Sequence, residues 1–286
     1  MLTAMQRIKN SWELAKVSWS VLKGDRTLLV FPVLSAVIGL IVVGVFAGLI
    51  ALTGVNNAHG SSGLKGIGYV FIVAGYVALA FVTTYFLGAL VHGANEALDG
   101  RRAELGECFA AANAKLHRLL PWAIVQATVS IIIQALEERG FLGQIVASLI
   151  GAAWAVVTFL TVPIIMLEDL GPIAALKRSG HLLKQSWGEN IAAQAGFGIF
   201  SMLAILPAAI VLGLVVGSGS TVLIVTVGAV AVAWAVVVSL AVSALSGIYR
   251  TALYRFAVDG VAPPAFAGAD LQHAFGPRRR RSGLGA

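Results

Sequence analysis

The chain has 286 residues, 58% of them apolar and 12% charged, with a formal net charge of +7. Soluble domains carry roughly 25% charged residues, so an ordinary water-facing globule is excluded. No succession of segments alternates at period two, which excludes a membrane β-barrel as well. The composition leaves an all-α integral membrane protein, read as six transmembrane helices in three hairpins, each preceded by a cytoplasmic interfacial amphipathic helix. The basic excess is expected to set topology and meet anionic lipid head groups, with no nucleic acid as partner. A single cysteine, Cys108, rules out an intrachain disulfide framework and any CxxC motif.

Residues 4–24 place Ile8, Trp12, Ala15, Trp19 and Leu22 at spacings of four and three, with Arg7, Lys9, Glu13, Lys16 and Lys23 opposite. That pattern predicts the first interfacial helix, broken by Gly24-Asp25. Span one follows at about 27–52. A signal h-region has only about 7–15 residues, so this segment is expected to stay in the membrane. Pro32 falls in its first turns, and Gly44 with Gly48 forms a GxxxG that permits close helix approach. Residues 53–65 read as a polar loop.

Span two is expected at about 66–91, with His92, Glu96 and Asp99 at its wet end. The second interfacial helix, about 103–118, repeats the rhythm in Leu105, Phe109, Ala112 and Leu116, beside Arg101, Arg102, Lys115, His117 and Arg118. Cys108 within it reads as a packed small apolar residue, with a reactive thiol as the alternative. Span three, about 119–136, carries Gln126 and Gln134, expected to hydrogen-bond neighbouring helices. Glu137-Glu138-Arg139-Gly140 makes a tight turn into span four, about 145–167, with Pro163 near its exit.

The third interfacial helix, about 172–187, starts at Pro172, where a missing N–H costs nothing. Its apolar positions are Ile173, Leu176, Gly180, Leu183 and Trp187, and between them fall Lys177, Arg178, His181, Lys184 and Gln185. Span five, about 191–216, contains Gln194 and Pro207, and Gly213 with Gly217 gives a second GxxxG. Span six is about 221–248, and Tyr249, Arg250, Tyr254 and Arg255 read as the return to water. Residues 1–256 then form one transmembrane domain. Residues 257–286 form a partly disordered cytoplasmic tail ending in Arg278, Arg279, Arg280 and Arg281.

With this layout 18 of the 20 Lys and Arg residues fall on the side of the termini, leaving Lys65 and Arg139 on the other. The positive-inside rule therefore predicts a multi-pass cytoplasmic-membrane protein with both termini cytoplasmic. An internal repeat supports three like-oriented modules. Lys16-Val17-Ser18 and Val21-Leu22-Lys23 match Lys177-Arg178-Ser179 and Leu182-Leu183-Lys184 at one offset of 161.

Between their wet ends the six spans carry no Asp, Glu, Lys, Arg or His, which removes the most direct argument for ion coupling. There is no HExxH and no GxSxG, and the five histidines are dispersed, so no catalytic residue, metal ligand or cofactor is assigned. The acids Glu96, Asp99, Glu168 and Asp169 are expected to cap helices and pair with Arg101, Arg102 or Arg178. A gathered acidic cluster acting on lipid head groups is the weaker reading. Residues expected to contact anionic lipid are Lys16, Lys23, Arg101, Arg102, Lys177, Arg178, Lys184 and Arg278 to Arg281, and those expected to pack helices are Gly44, Gly48, Gly213 and Gly217. These features point to a non-enzymatic scaffold or lipid-associated membrane component, with a membrane-protein partner or a second copy as further contacts. The alternative is a passive channel or permease for an apolar or lipid-like solute.

The segments SWELAKVSWSVLKGDRTLLVFPVLSAV and VPIIMLEDLGPIAALKRSGHLLKQSWGEN, with Phe266 to Phe275 ahead of a basic end, resemble a family of uncharacterised prokaryotic six-span membrane proteins. That family is distantly similar to the membrane domain of glycerophosphodiester phosphodiesterases. The resemblance implies a fold and a membrane location. It carries no catalytic assignment, since no residues remain to build the phosphodiesterase domain.

Overall fold

The computed structural model describes residues 16–55, 66–186, 220–260 and 263–266, and all of 205–215 except 208, 212 and 214. Among these residues there is helix and no strand. In chain order come α1 (16–24), a 3-10 turn at Arg26–Leu29, α2 (Val30–Val55), α3 (Gly66–Leu98) and α4 (Leu105–Ala114). Then follow α5 (Leu116–Glu137), α6 (Gly140–Thr158), α7 (Thr161–Leu167), α8 (Pro172–Ser186) and α9 (Thr221–Asp259). The described positions between 205 and 215 are helical too.

Among the described residues five segments are long and apolar enough to cross a membrane: Arg26–Leu52, Gly66–Leu98, Leu116–Glu137, Gly140–Leu167 and Thr221–Asp259. They correspond to expected spans one, two, three, four and six. Most of expected span five lies outside the described residues, as do Trp12, Trp187, Gln194, Gly217 and the basic tail. Along much of their length these helices present bare aliphatic surface, with Leu40, Ile41, Leu149, Val222 and Val230 all exposed. Such contiguous apolar surface suits a hydrocarbon solvent and would be a liability in water.

The buried core sits at one end of the bundle. It gathers Leu28 of the 3-10 turn, Phe31 from the start of α2, Phe86 to Leu98 of α3, and Cys108 and Ala112 of α4. Leu119 and Trp122 of α5, residues 159–166, Leu182 and Leu183 of α8, and Ala244 to Tyr254 of α9 complete it. This packing explains why α3 and α9 outrun their predicted ends at 91 and 248. Apolar surface remains to be buried there, against short helices instead of lipid. Tyr249 and Tyr254, expected to mark a return to water, are buried in that core.

Two further elements differ from expectation. The second interfacial helix is not continuous over 103–118. It stops at Ala114, and after Lys115 the chain restarts directly as α5. Span four breaks at Phe159-Leu160 between α6 and α7. Pro163 accounts for the break, because it has no N–H for the Phe159 carbonyl and its ring crowds that same group. The α5–α6 turn stands as expected, closed by Gly140 at φ 80, and Gly260 at φ 73 ends α9. Both are left-handed positions where a Cβ would be strained.

Each of the two amphipathic helices packs on the core through a few small and apolar residues and leaves part of its apolar stripe exposed. In α8 the packed side is Ala175, Ser179, Leu182 and Leu183, while Ile173 is 54% exposed. In α1 it is Ser18 and Leu22, while Trp19 is 44% exposed under Lys23, whose Nζ lies 5.9 Å from the ring centroid. The repeat at offset 161 has a structural counterpart. Ser18 and Ser179 are both fully buried, and Lys16, Lys177, Lys23 and Lys184 are all exposed.

Candidate functional site

The packed end carries nearly all of the polar chemistry. Of the described Lys and Arg residues only Arg139, in the α5–α6 turn, lies at the opposite end. The segment after α7 is the hub. Glu168 caps α7, its N–H bonding the Ile164 carbonyl at 2.9 Å. Its carboxylate accepts from Arg178 Nε of α8 at 3.2 Å and from the Tyr254 hydroxyl of α9 at 3.1 Å. Asp169 follows in a left-handed conformation at φ 57, which Asp tolerates better than most residues. It pairs with Lys115 Nζ and, at 3.0 Å, with Arg118 Nη2 at the start of α5. The hydrogen bond from Lys115 above all, then the nearby cationic charges, holds the Asp169 carboxyl below the usual carboxylate range despite some desolvation.

Beside this hub, Asp99 accepts from Arg255 Nη1 at 2.6 Å, and Arg101 pairs with Glu96 at 2.5 Å and with Asp99 at 3.5 Å. Each of the four acids named from the sequence therefore has a basic partner. Arg101 and Arg178 take the expected part, and Arg255, Lys115 and Arg118 supply the rest. Carboxylates paired this way are structural ties and weak general bases. Among the described residues no three or more His, Cys, Asp or Glu are gathered as metal ligands.

A fifth acid, Asp25, looked from the sequence like a helix breaker only. It accepts from the Thr27 N–H at 3.0 Å, capping the 3-10 turn, and from the buried Ala103 N–H at 2.7 Å. One carboxylate thus fastens the α3–α4 connection to the start of α2. No local signal could reveal a partner 78 residues away. Gln126 and Gln134 act as helix ties, accepting from Trp154 Nε1 at 2.7 Å and from the Tyr76 hydroxyl respectively. The Trp122 and Trp154 rings stack beside the first of these bonds, with centroids 6.0 Å apart.

Of the residues expected to meet lipid, Lys16, Lys23, Arg102, Lys177 and Lys184 are exposed. Arg101 is exposed as well but pairs with Glu96 and Asp99, Arg178 pairs with Glu168, and Arg278 to Arg281 lie outside the described residues. A methyl group on Gly44, Gly48 or Gly213 would meet nothing within 4 Å among the described residues, so none of the three makes a close approach to them. The close approaches are made instead by Gly75 on Phe46, Gly88 on Met166 and Leu119, Gly93 on Cys108, Leu28 and Ala103, and Gly247 on Leu90.

Cys108 is fully buried, and burial, then the negative charges of Asp25, Glu107 and Glu96, pushes its thiol up to about 11. This is an inert packing thiol, in line with the first of its two sequence readings. A maleimide at pH 7 is expected to leave it unmodified in the folded protein and to label it fully after denaturation; fast labelling of folded protein would contradict its burial. The raised value also has a stability consequence. Between the ordinary thiol range near 9 and about 11 only the unfolded chain loses this proton, so stability falls as pH rises through that window.

No curated protein and no solved structure matches the chain. A family of unknown function does match, over residues 66–263, from the start of α3 past the end of α9. The matched region holds the hub at Glu168 and Asp169, the Asp99–Arg255 tie and the packing glycines of α3 at 75, 88 and 93, and the chain belongs to that family, DUF6159.

Proposed function

We propose that the protein is a six-span, three-hairpin component of the cytoplasmic membrane, with both termini cytoplasmic, that works without catalysis by organising anionic lipid around its packed end. The observation that carries this reading is the division of the basic residues. Carboxylates occupy Arg101, Lys115, Arg118, Arg178 and Arg255 internally, while Lys23, Arg102, Lys177 and Lys184 stand exposed at the same end as the packed core. Exposed cations beside Ile173 on α8 and Trp19 on α1 suit a head-group boundary, where long basic side chains reach water from an apolar footing. The distant likeness to the phosphodiesterase membrane domain suits a lipid-facing role and supplies no catalytic residue.

Each exposed cation near an anionic surface contributes about 1 kcal/mol, or roughly fivefold in affinity. Native mass spectrometry of the purified protein in mixed micelles is expected to retain phosphatidylglycerol over phosphatidylcholine. Changing Lys23, Arg102, Lys177 and Lys184 together to Gln should reduce that preference by at least about twentyfold, allowing for screening. Equal retention of the two lipids by the unaltered protein would sink the reading. So would solute flux above that of empty vesicles after reconstitution, which is the result a permease predicts.

A further inference from the structure

Arg250 stands apart from the other partly buried arginines of the packed end. Arg118, Arg178 and Arg255 each face a carboxylate, whereas no acid among the described residues pairs with Arg250. Its guanidinium lies over the Phe159 ring, with Cζ 4.6 Å from the centroid. Its Nε is sealed from solvent with no acceptor, yet the side chain as a whole keeps partial access to the surface. An arginine does not shed its charge to relieve burial, and a ring face offsets only part of the desolvation cost. Among the described residues no counter-charge offsets it.

Position indicates where one comes from. At 1.5 Å per residue Arg250 lies about 44 Å along α9 from Thr221, close to the roughly 40–45 Å of a bilayer counted with its head groups. Phe159 sits at the α6–α7 break, next to the point where the Ser179 hydroxyl of α8 donates to the Val157 carbonyl at 2.6 Å. Arg250 thus stands beside an interrupted helix and a fixed one, at head-group level.

We infer that Arg250, floored by Phe159, binds the phosphate of an anionic phospholipid lying against α6 and α9. This rests on the proposed placement of the spans in a bilayer and adds a specific seat to the diffuse attraction of the exposed lysines. Its planar fork suits two phosphate oxygens at once, which a lysine cannot reproduce.

The test uses the full chain in zwitterionic nanodiscs, titrated with phosphatidylglycerol, phosphatidylcholine or inorganic phosphate, with bound lipid counted by native mass spectrometry. Arg250→Met is expected to weaken phosphatidylglycerol binding about tenfold, leave phosphatidylcholine binding unchanged, and keep its thermal midpoint without added lipid. Unaltered phosphatidylglycerol affinity in Arg250→Met overturns the site, as does a lower lipid-free midpoint with affinity intact, which would make the arginine a packing element. Protection by inorganic phosphate with none by the lipid overturns the lipid assignment. Should Arg250→Met not fold, Arg250→Lys decides: a several-fold loss of affinity supports the site and no loss refutes it. An unaltered protein with no preference for anionic lipid would remove the broader proposal too, whereas a preference that survives at position 250 removes only this one.

Discussion

Asp25→Ala is expected to lower the thermal midpoint by about 5–10 °C, one of the largest effects of any single exchange outside the apolar core. Two donors lose their acceptor at once. The Ala103 N–H is buried, and leaving it unmet costs about 1–3 kcal/mol. Loss of the cap on the Arg26–Leu29 turn adds about 0.5–2 kcal/mol. Cys108 provides the readout, since it is the single cysteine and becomes reactive only on opening. A thiol-reactive dye followed during heating should show the shift directly. Asp25→Asn keeps one side-chain oxygen and should fall between the two. A midpoint in Asp25→Ala within about 1 °C of the unaltered protein would mean that the carboxylate is not the fastening between α1–α2 and the α3–α4 connection.

That residue also marks where sequence reading stops. Apolar runs of membrane length announce helices whatever they touch, so the spans of α2, α3, α5, α6–α7 and α9 were legible, and so was the turn at Gly140. The repeat was legible too, because Ser18 and Ser179 are both buried and the flanking lysines stay exposed in both copies. Hydropathy failed where helices meet each other instead of lipid. It marks Ile173 and Trp19 as a membrane-facing stripe but gives no sign that Ala175, Ser18 and Ser179 are buried against other helices, where close packing selects small side chains. For the same reason the GxxxG pairs at 44/48 and 213/217 drew notice while Gly88, Gly93 and Gly247 did not. A glycine's contact partner belongs to another element, and spacing along its own helix cannot name it. The four acids were found because each sits beside a span end, where local composition changes. Their partners Lys115, Arg118 and Arg255 were not assigned, since pairing across helices is a property of the packed end as a whole.

Gly93 gives the sharper test of that packed end. A Cβ built there would stand 3.0 Å from Cys108 Sγ, 3.0 Å from Leu28 Cδ2 and 3.1 Å from Ala103 Cβ. All three neighbours are buried, and Ala103 cannot yield without moving a backbone that Asp25 holds by its N–H. Gly93→Val should therefore cost about 3 kcal/mol or more, the upper range for overpacking, and expose Cys108 to the dye at ordinary temperature. Gly93→Ala is a closer contest. Removing a helical glycine stabilises by about 1 kcal/mol, and crowding three fixed neighbours costs about 1–3 kcal/mol, so a smaller net loss is expected. Adding Ala103→Gly removes the one neighbour with no rotamer to change. The pair should recover at least half of the Gly93→Ala loss, a coupling of about 0.5–3 kcal/mol. If the two substitutions simply add, α3 does not press on the α3–α4 connection at this point, and α4 is held to the core by some contact other than the one between residues 93 and 103.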